Sequence, residues 1–273
     1  MLSAGLDEII TNSLVGKPMI DRFMVPFDES KAVKVLNSAS EECTMLRENM
    51  SGSILNCLKY NYDNGQKNFW AYEIGTTYNK IGEADEKQTG IAEKRVLAGV
   101  LTGEVGNSKW QLDAPVDFFT VKGIMENVFE ELGVSKRIKL TPCEDVEYYH
   151  PYRSAKVNIL GKNLTCVGYF GQIHPTLKNK LKIKGQDVFM FEINLDALID
   201  IVKEHTPRYK KLPQFPEVRR DIAFVINDDV TFDDLLKAAE EAELAESEES
   251  SEAKEKEKKE KTNKTGRKKN KKK

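Results

Sequence analysis

The side chains of this chain that could act in acid–base or metal chemistry are few and widely spaced. His150 and His174 each precede a proline. A catalytic or metal-binding role would require a carboxylate or thiol partner at a defined position. Acidic residues lie near His150 in the sequence, but nothing in their spacing fixes their geometry. We therefore expect both histidines to stabilise turns, and we assign no catalytic residue to the chain.

The cysteines do not form a metal-binding pattern. None of the four belongs to a pair separated by two residues, and no histidine stands at ligand spacing from any of them. We therefore expect no metal site. Instead we expect each to be a small buried apolar side chain in a reducing compartment: Cys43, Cys57, Cys143 and Cys166.

Basic and aromatic residues give three candidates for binding. Arg47 could hold a phosphate, although we favour a structural ion pair. The aromatic residues Phe69, Trp70 and Tyr72 could stack on bases, but their alternating pattern favours a core strand or a subunit interface. Four further basic residues could contact RNA phosphates or belong to a solvated linker: Lys210, Lys211, Arg219 and Arg220.

Apolar periodicity predicts the elements that must position these residues. A helix over residues 117–132 begins at the N-cap Asp117 and ends at the C-cap Gly133. A second amphipathic helix is predicted over residues 50–62, and a buried central strand over residues 96–101. Further strands are predicted over residues 32–36, 69–75, 155–160, 164–173, 188–193 and 221–227, and a short helix over residues 195–202.

The fold class predicted from these elements is α+β, with antiparallel strands flanked by helices. We divide the chain into a core (residues 1–204), a linker (205–216), a shortened second domain (217–244) and a disordered charged tail (245–273). The net charge of −2 hides a polarised tail, which is acidic up to residue 252 and strongly basic after it. No segment has the length of a membrane span or the pattern of a signal peptide, so we expect a cytoplasmic protein.

Several segments, in order, resemble one family. Residues 211–226 carry two prolines, a basic pair and an apolar run, and they resemble the start of the ferredoxin-fold anticodon-binding domain of the bacterial phenylalanyl-tRNA synthetase beta subunit. Upstream segments are similar to other motifs of the same subunit. They are Gly5 to Thr11, Val35-Leu36-Asn37, Tyr72-Glu73-Ile74-Gly75, Asp117-Phe118-Phe119, His150-Pro151-Tyr152-Arg153, Gly171-Gln172-Ile173-His174-Pro175 and Phe191-Glu192-Ile193.

The resemblance implies a class II aminoacyl-tRNA synthetase-like core that has lost catalysis and packs against the alpha subunit in a heterotetramer. The whole enzyme is a ligase that charges tRNA(Phe) with phenylalanine, using ATP and Mg²⁺, and we expect no cofactor in this chain. A catalytic module of this class carries a strand-terminal arginine for the ATP phosphates. Here that place holds Thr76, Thr77, Tyr78 and Asn79.

The part after residue 217 is short for a complete anticodon-binding domain, because one strand and one helix cannot bury a core. The resemblance therefore predicts a fragment or shortened form of the beta subunit that acts as a scaffold. Two alternatives stay open. One is a stand-alone nucleic-acid-binding protein with a dead synthetase fold and a basic tail, and the other is a nonfunctional truncated product.

Overall fold

The computed structural model describes residues 1–83, 89–105, 114–161 and 164–204, together with residues 221, 223, 225–227, 230–232 and 234–239. The backbone divides into two compact units, Met1–Tyr209 and Lys210–Lys273. Nearly all described secondary structure lies in the first unit. The sequence-based domain boundaries remain a prediction.

The described part of the first unit contains eleven strands and five α-helices. The strands are β1 Asp7–Glu8, β2 Leu14–Val15, β3 Met45–Leu46, β4 Phe69–Lys80, β5 Ile91–Thr102, β6 Glu104–Val105, β7 Ala114–Pro115, β8 Ile138–Pro142, β9 Tyr149–Ile159, β10 Thr165–Ile173 and β11 Val188–Asn194. The helices are α1 Lys17–Phe23, α2 Ser51–Asp63, α3 Phe118–Glu131, α4 Pro175–Lys180 and α5 Leu195–Glu204.

Seven strands form one large sheet in the order β1-β4-β5-β11-β10-β9-β8. The short β1 runs parallel to β4, and every other neighbouring pair is antiparallel. Strand β5 lies inside the sheet because its C-terminal half is an apolar run that is buried on both faces. This confirms the predicted mixed fold with a large sheet and the buried strand over residues 96–101.

Helices cover both faces of the sheet, and alternation along β5 divides its side chains between two cores. Leu97 and Leu101 belong to a cluster that includes buried residues of α3 and α5. Val96 and Val100 belong to a second cluster with buried residues of α2 and α4. Each face of the sheet is therefore an apolar layer that helices cover over much of its area.

Helix α3 forms where its capping residues and apolar spacing predict it. The Asp117 carboxylate accepts a 2.7 Å hydrogen bond from the backbone N–H of Thr120, whose hydroxyl accepts one from the Asp117 N–H. Gly133 ends the helix with φ of 70°, which a glycine adopts without strain. Four side chains on its inner face are buried, and together they contribute roughly 6–12 kcal/mol before conformational entropy is counted: Val121, Ile124, Met125 and Phe129.

Some predictions were wrong or incomplete. The strand predicted over residues 32–36 is absent, since only Lys34 makes an isolated bridge, to Met45, and Leu36 is fully exposed. Helices α1 and α4 and strand β8 were not predicted. The described residues of the range 221–227 are not in a strand.

The second unit is described only in part. Thr231 and Asp234 form a capping box, in which the Thr231 hydroxyl and N–H donate to the Asp234 carboxylate and the Asp234 N–H donates back to the hydroxyl. Residues 234–239 after it are helical. The predicted linker and tail lie outside the described residues.

Candidate functional site

A cavity of about 1050 Å³ opens on one face of the large sheet, beside helix α1. Its sheet wall comes from β4, β5, β10 and β11, and the segment before β9 closes another side. The polar and charged groups that line it are Lys17, Asp21, Glu48, Asn49, Thr77, Asn79, Lys94, Asp145, Glu147, Tyr148, Tyr169, Glu192 and Asn194. The cavity is the largest concave site available for a small-molecule ligand among the described pockets.

The charge of this cavity is unsuited to a nucleoside triphosphate. Its lining residues, all of them described, include five carboxylic acids but only two basic groups, Lys17 and Lys94. Burial raises the pKa of Glu48 and of Glu192, and Asp145 is paired with Lys156 at 2.7 Å, so Asp21 and Glu147 remain opposite the two lysines. The lining therefore lacks the excess of positive charge that an ATP phosphate chain requires.

Glu192 at the floor of the cavity is committed to the protein itself. Its carboxylate is partly buried and accepts hydrogen bonds from the Ser51 hydroxyl at 2.7 Å and the Met50 N–H at 3.3 Å. These donors lie at the N-terminus of α2, where an acidic side chain is favourable. The contact ties α2 to β11 and leaves Glu192 without a free role in chemistry.

Arg47, the phosphate candidate, is a structural residue. Its guanidinium is 3% exposed and lies 3.0 Å from the Glu73 carboxylate. It also donates to the Thr11 hydroxyl at 2.8 Å and to the Thr76 carbonyl at 2.9 Å. The Thr11 hydroxyl in turn donates to Glu73 at 2.6 Å. This closed set of contacts, which we call the Arg47 network, confirms the ion-pair interpretation.

The end of β4 presents no positive charge to the cavity. The strand runs past the predicted end at residue 75 and continues to Lys80. Thr77 and Asn79 are the residues of this end that line the cavity. Thr77 is buried, and its hydroxyl donates to the Lys94 carbonyl. The strand end to which the family resemblance assigns a phosphate-binding arginine therefore carries short neutral side chains at the cavity.

Both histidines act as predicted, by holding turns. Each accepts a 3.2 Å hydrogen bond through Nδ1, His150 from the Tyr152 N–H and His174 from the Thr176 N–H. His174 is the N-cap of α4. Burial lowers the pKa of His150, which keeps the ring neutral at physiological pH. In the part of the chain that the structure describes, no group of three metal-ligating side chains converges.

The cysteines correct one prediction. Only Cys143 is buried, Cys43 and Cys57 are half-buried, and Cys166 is exposed on β10. The spacing of the cysteines in the sequence does not show which of them are exposed. Side chains alternate between the two faces of β10, and Val167 takes the buried position, so Cys166 is exposed. Burial raises the pKa of the Cys57 and Cys143 thiols, so both stay protonated and unreactive.

The aromatic residues of β4 are core residues, as predicted. Tyr72 is 6% exposed, and Phe69 and Trp70 pack against the two core clusters. They form no stacking platform for bases. The four basic residues proposed for RNA contact lie outside the described residues: Lys210, Lys211, Arg219 and Arg220.

A second concave site went unnoticed in the sequence. A groove of about 690 Å³ brings together two separate motifs, the N-terminus of α3 and the start of β9. Phe118 stacks on the core residue Phe170, with ring centres 5.6 Å apart, whereas Phe119 points outward and is 72% exposed. Tyr152 lines the same groove and is 88% exposed. The sequence signal for this groove is the aromatic residue that each motif contributes to it, Phe119 in one motif and Tyr152 in the other.

Comparisons with known proteins agree with this architecture. Residues 1–195 match the model of the phenylalanyl tRNA synthetase beta chain CLM domain. Phenylalanine–tRNA ligase beta subunits of Staphylococcus epidermidis and Bacillus licheniformis are 34% and 35% identical over 239 and 243 residues. These alignments cover 87% and 86% of this chain and 28% of each relative. The chain thus spans less than a third of the length of the relatives it matches.

Solved structures show the same fold. Pyrrolysyl-tRNA synthetase from Desulfitobacterium hafniense superimposes with a TM-score of 0.52 at 15% identity, over 74% of this chain and 65% of that protein. The likeness places the large sheet and its helices in the class II synthetase fold. None of the helices in the described ranges is long and apolar enough to span a membrane. From its sequence match and its fold, the chain belongs to the phenylalanyl-tRNA synthetase beta chain family.

Proposed function

We propose that this chain is a non-catalytic scaffold part of the beta subunit of phenylalanine–tRNA ligase. In this proposal the complex charges tRNA(Phe) with phenylalanine, and ATP and Mg²⁺ bind to other parts of the enzyme. The observation that carries the proposal is the cavity, which occupies the sheet face of a synthetase fold but has an acidic lining. Its nearby arginine, Arg47, is buried in contacts with Glu73, Thr11 and Thr76.

A scaffold must also present a surface to its partner. Ile10 is 93% exposed and Ile74 is 53% exposed. Both follow the paired residues Glu8 and Tyr72 by two positions, so the same register continued past the end of β1 would bring them side by side at the β1 edge of the sheet. Exposed isoleucines at a sheet edge are typical of an interface rather than of a free surface. We assign this edge to the alpha subunit, within a cytoplasmic heterotetramer.

Co-purification tests the proposal. The chain and a tagged alpha subunit of the same organism are co-expressed, and the complex is measured by size-exclusion chromatography with light scattering. We expect a stable complex that Ile10→Asp together with Ile74→Asp weakens at least tenfold, because two charges would be buried at the contact. Leu36→Asp is the matched control, since Leu36 is fully exposed and belongs to neither β1 nor β4.

Two results would contradict the proposal. One is the absence of any complex between the wild-type chain and the alpha subunit. The other is a complex that is equally strong in the double variant and the Leu36→Asp control, which would move the interface away from the β1 edge.

A further inference from the structure

The groove beside α3 has two exposed aromatic rings that the scaffold role does not use. Phe119 and Tyr152 line it from different elements, and their exposed fractions of 72% and 88% leave both rings open to solvent. Neither ring is needed for the core, since Phe118 already fills the inward position and stacks on Phe170. Two open rings at one groove are suited to stacking with flat ligands.

A row of lysines lies on the segment between two residues that line the groove, Lys178 and Gly185. Lys180, Lys182 and Lys184 are exposed, while the intervening Leu181 and Ile183 are 1% and 2% exposed. The two buried side chains anchor the segment and leave the three ammonium groups in solvent. We call these three residues the lysine strip.

The lysine strip is positively charged without local compensation. Residues 174–186 contain four lysines and no acid. Lys178 is neutralised by Asp187 at 2.6 Å, but none of the three strip lysines forms an ion pair with another described residue. Such a local excess stands out in a chain whose net charge is −2, and it attracts anions.

The strip and the groove are continuous along the chain. Lys178 and residues 185–187 all line the groove, so the segment that carries the strip leaves the groove at one end and returns to it at the other. Arg153, 58% exposed, follows Tyr152 in the chain and lines the groove too, where its guanidinium lies 4.0 Å from the Asp187 carboxylate. The segment that carries the unpaired lysines of the strip thus begins and ends at the groove that holds the open rings.

We propose that the groove and the lysine strip form a binding site for single-stranded RNA. Unpaired bases stack on Phe119 and Tyr152, and the phosphates that connect them lie along the lysine strip. The positive charge of the lysine strip favours a polyanion. The open rings favour unpaired bases, because the bases of a duplex are stacked inside the double helix and cannot reach them. The inference rests on the proposed function in one respect: if the chain is part of the ligase, tRNA is the natural source of the single strand.

Binding of the full chain to a fluorescently labelled 12-nucleotide oligouridylate tests the site without the alpha subunit. Its failure would therefore be distinct from a failure of the scaffold proposal. Affinity is measured at several salt concentrations for the wild type and for Lys180→Gln/Lys182→Gln/Lys184→Gln. The matched control, Lys34→Gln/Lys136→Gln/Lys203→Gln, removes the same charge from other surfaces. The basic C-terminal residues are present in every variant, so their contribution is constant.

The two halves of the site give different signals. Each lysine–phosphate contact to a single strand contributes about −0.7 to the slope of log affinity against log salt. The strip variant should therefore flatten the slope by about 2, and the control should leave it unchanged. Tyr152→Ala and Phe119→Ala should each weaken binding at least about fivefold, whereas Tyr152→Phe keeps the ring and the affinity. A duplex of the same length should not respond to Tyr152→Ala.

Three results would overturn the inference. The first is an equal slope in the strip and control variants. The second is an affinity that neither Tyr152→Ala nor Phe119→Ala changes, which would mean that the rings bind no base. The third is a strip variant that binds RNA normally but loses the alpha subunit, which would make this surface a protein interface.

Discussion

The Arg47 network makes a sharp prediction about stability. Glu73→Gln keeps the size of the side chain and one acceptor oxygen but removes the negative charge. The Arg47 guanidinium, 3% exposed, would then stay buried without a counter-ion. If Arg47 is structural, this single change should destabilise the fold strongly.

The magnitude follows from burial. Removing one partner of a buried ion pair costs about 3–5 kcal/mol, because the charge left behind is uncompensated. The acceptors Thr11 Oγ1 and Thr76 O still bind the guanidinium, so we expect the lower end of that range. A similar change at an exposed pair has little effect. Glu126→Gln, which removes the partner of Lys122 on α3, should cost less than about 0.5 kcal/mol.

Urea unfolding followed by circular dichroism measures both variants. The expected result is a loss of about 3 kcal/mol for Glu73→Gln and an almost unchanged midpoint for Glu126→Gln. A loss below about 1 kcal/mol for Glu73→Gln would refute the reasoning. In that case Arg47 would not depend on its protein partners and would be available for a phosphate.

Three further predictions concern the core. Phe129→Ala should cost roughly 3–5 kcal/mol in urea melts, whereas Phe119→Ala on the same helix should stay within about 0.5 kcal/mol; equal losses would contradict the assigned faces of α3. Because burial raises the pKa of Glu192, the folded chain holds a proton that the unfolded chain releases above pH of about 4.3. This contribution to stability is lost as pH rises through the raised pKa of Glu192. Glu192→Gln should therefore make the free energy of unfolding fall less steeply with pH. An unchanged pH profile in this variant would contradict the prediction. Gly75→Ala should cost about 1–3 kcal/mol, since its methyl group would overlap the Arg47 guanidinium, and a neutral effect would mean that this packing is loose.

The elements with strong local signals were predictable from the sequence. Helix α3 has its cap residues and its apolar spacing within one window, and β5 is a continuous apolar run. Helices α1 and α4 are seven and six residues long, too short for periodicity to show, and only Pro18 and Pro175 mark their first turns. The apolar residues near Val33 predicted a strand, but no neighbouring strand pairs with them beyond one bridge.

The candidate sites depend on contacts that a sequence does not display. The cavity is assembled from residues as distant as Lys17 and Asn194, and its acidic character emerges only when they are brought together. The Arg47 network joins Thr11, Arg47 and Glu73, which occupy three separate segments. Sequence reasoning did weigh an ion pair for Arg47, but it could not name the partner.

Phenylalanine-dependent exchange of pyrophosphate into ATP tests the central claim, that this chain is a non-catalytic part of the ligase. The purified chain is assayed alone, with an active alpha–beta ligase as positive control. The account predicts a rate indistinguishable from a blank without protein, since the acidic cavity offers no arginine among its described lining residues. Lys94 is an exposed residue of the cavity. The contradicting result is exchange catalysed by the pure chain and abolished by Lys94→Ala without a change in the urea midpoint.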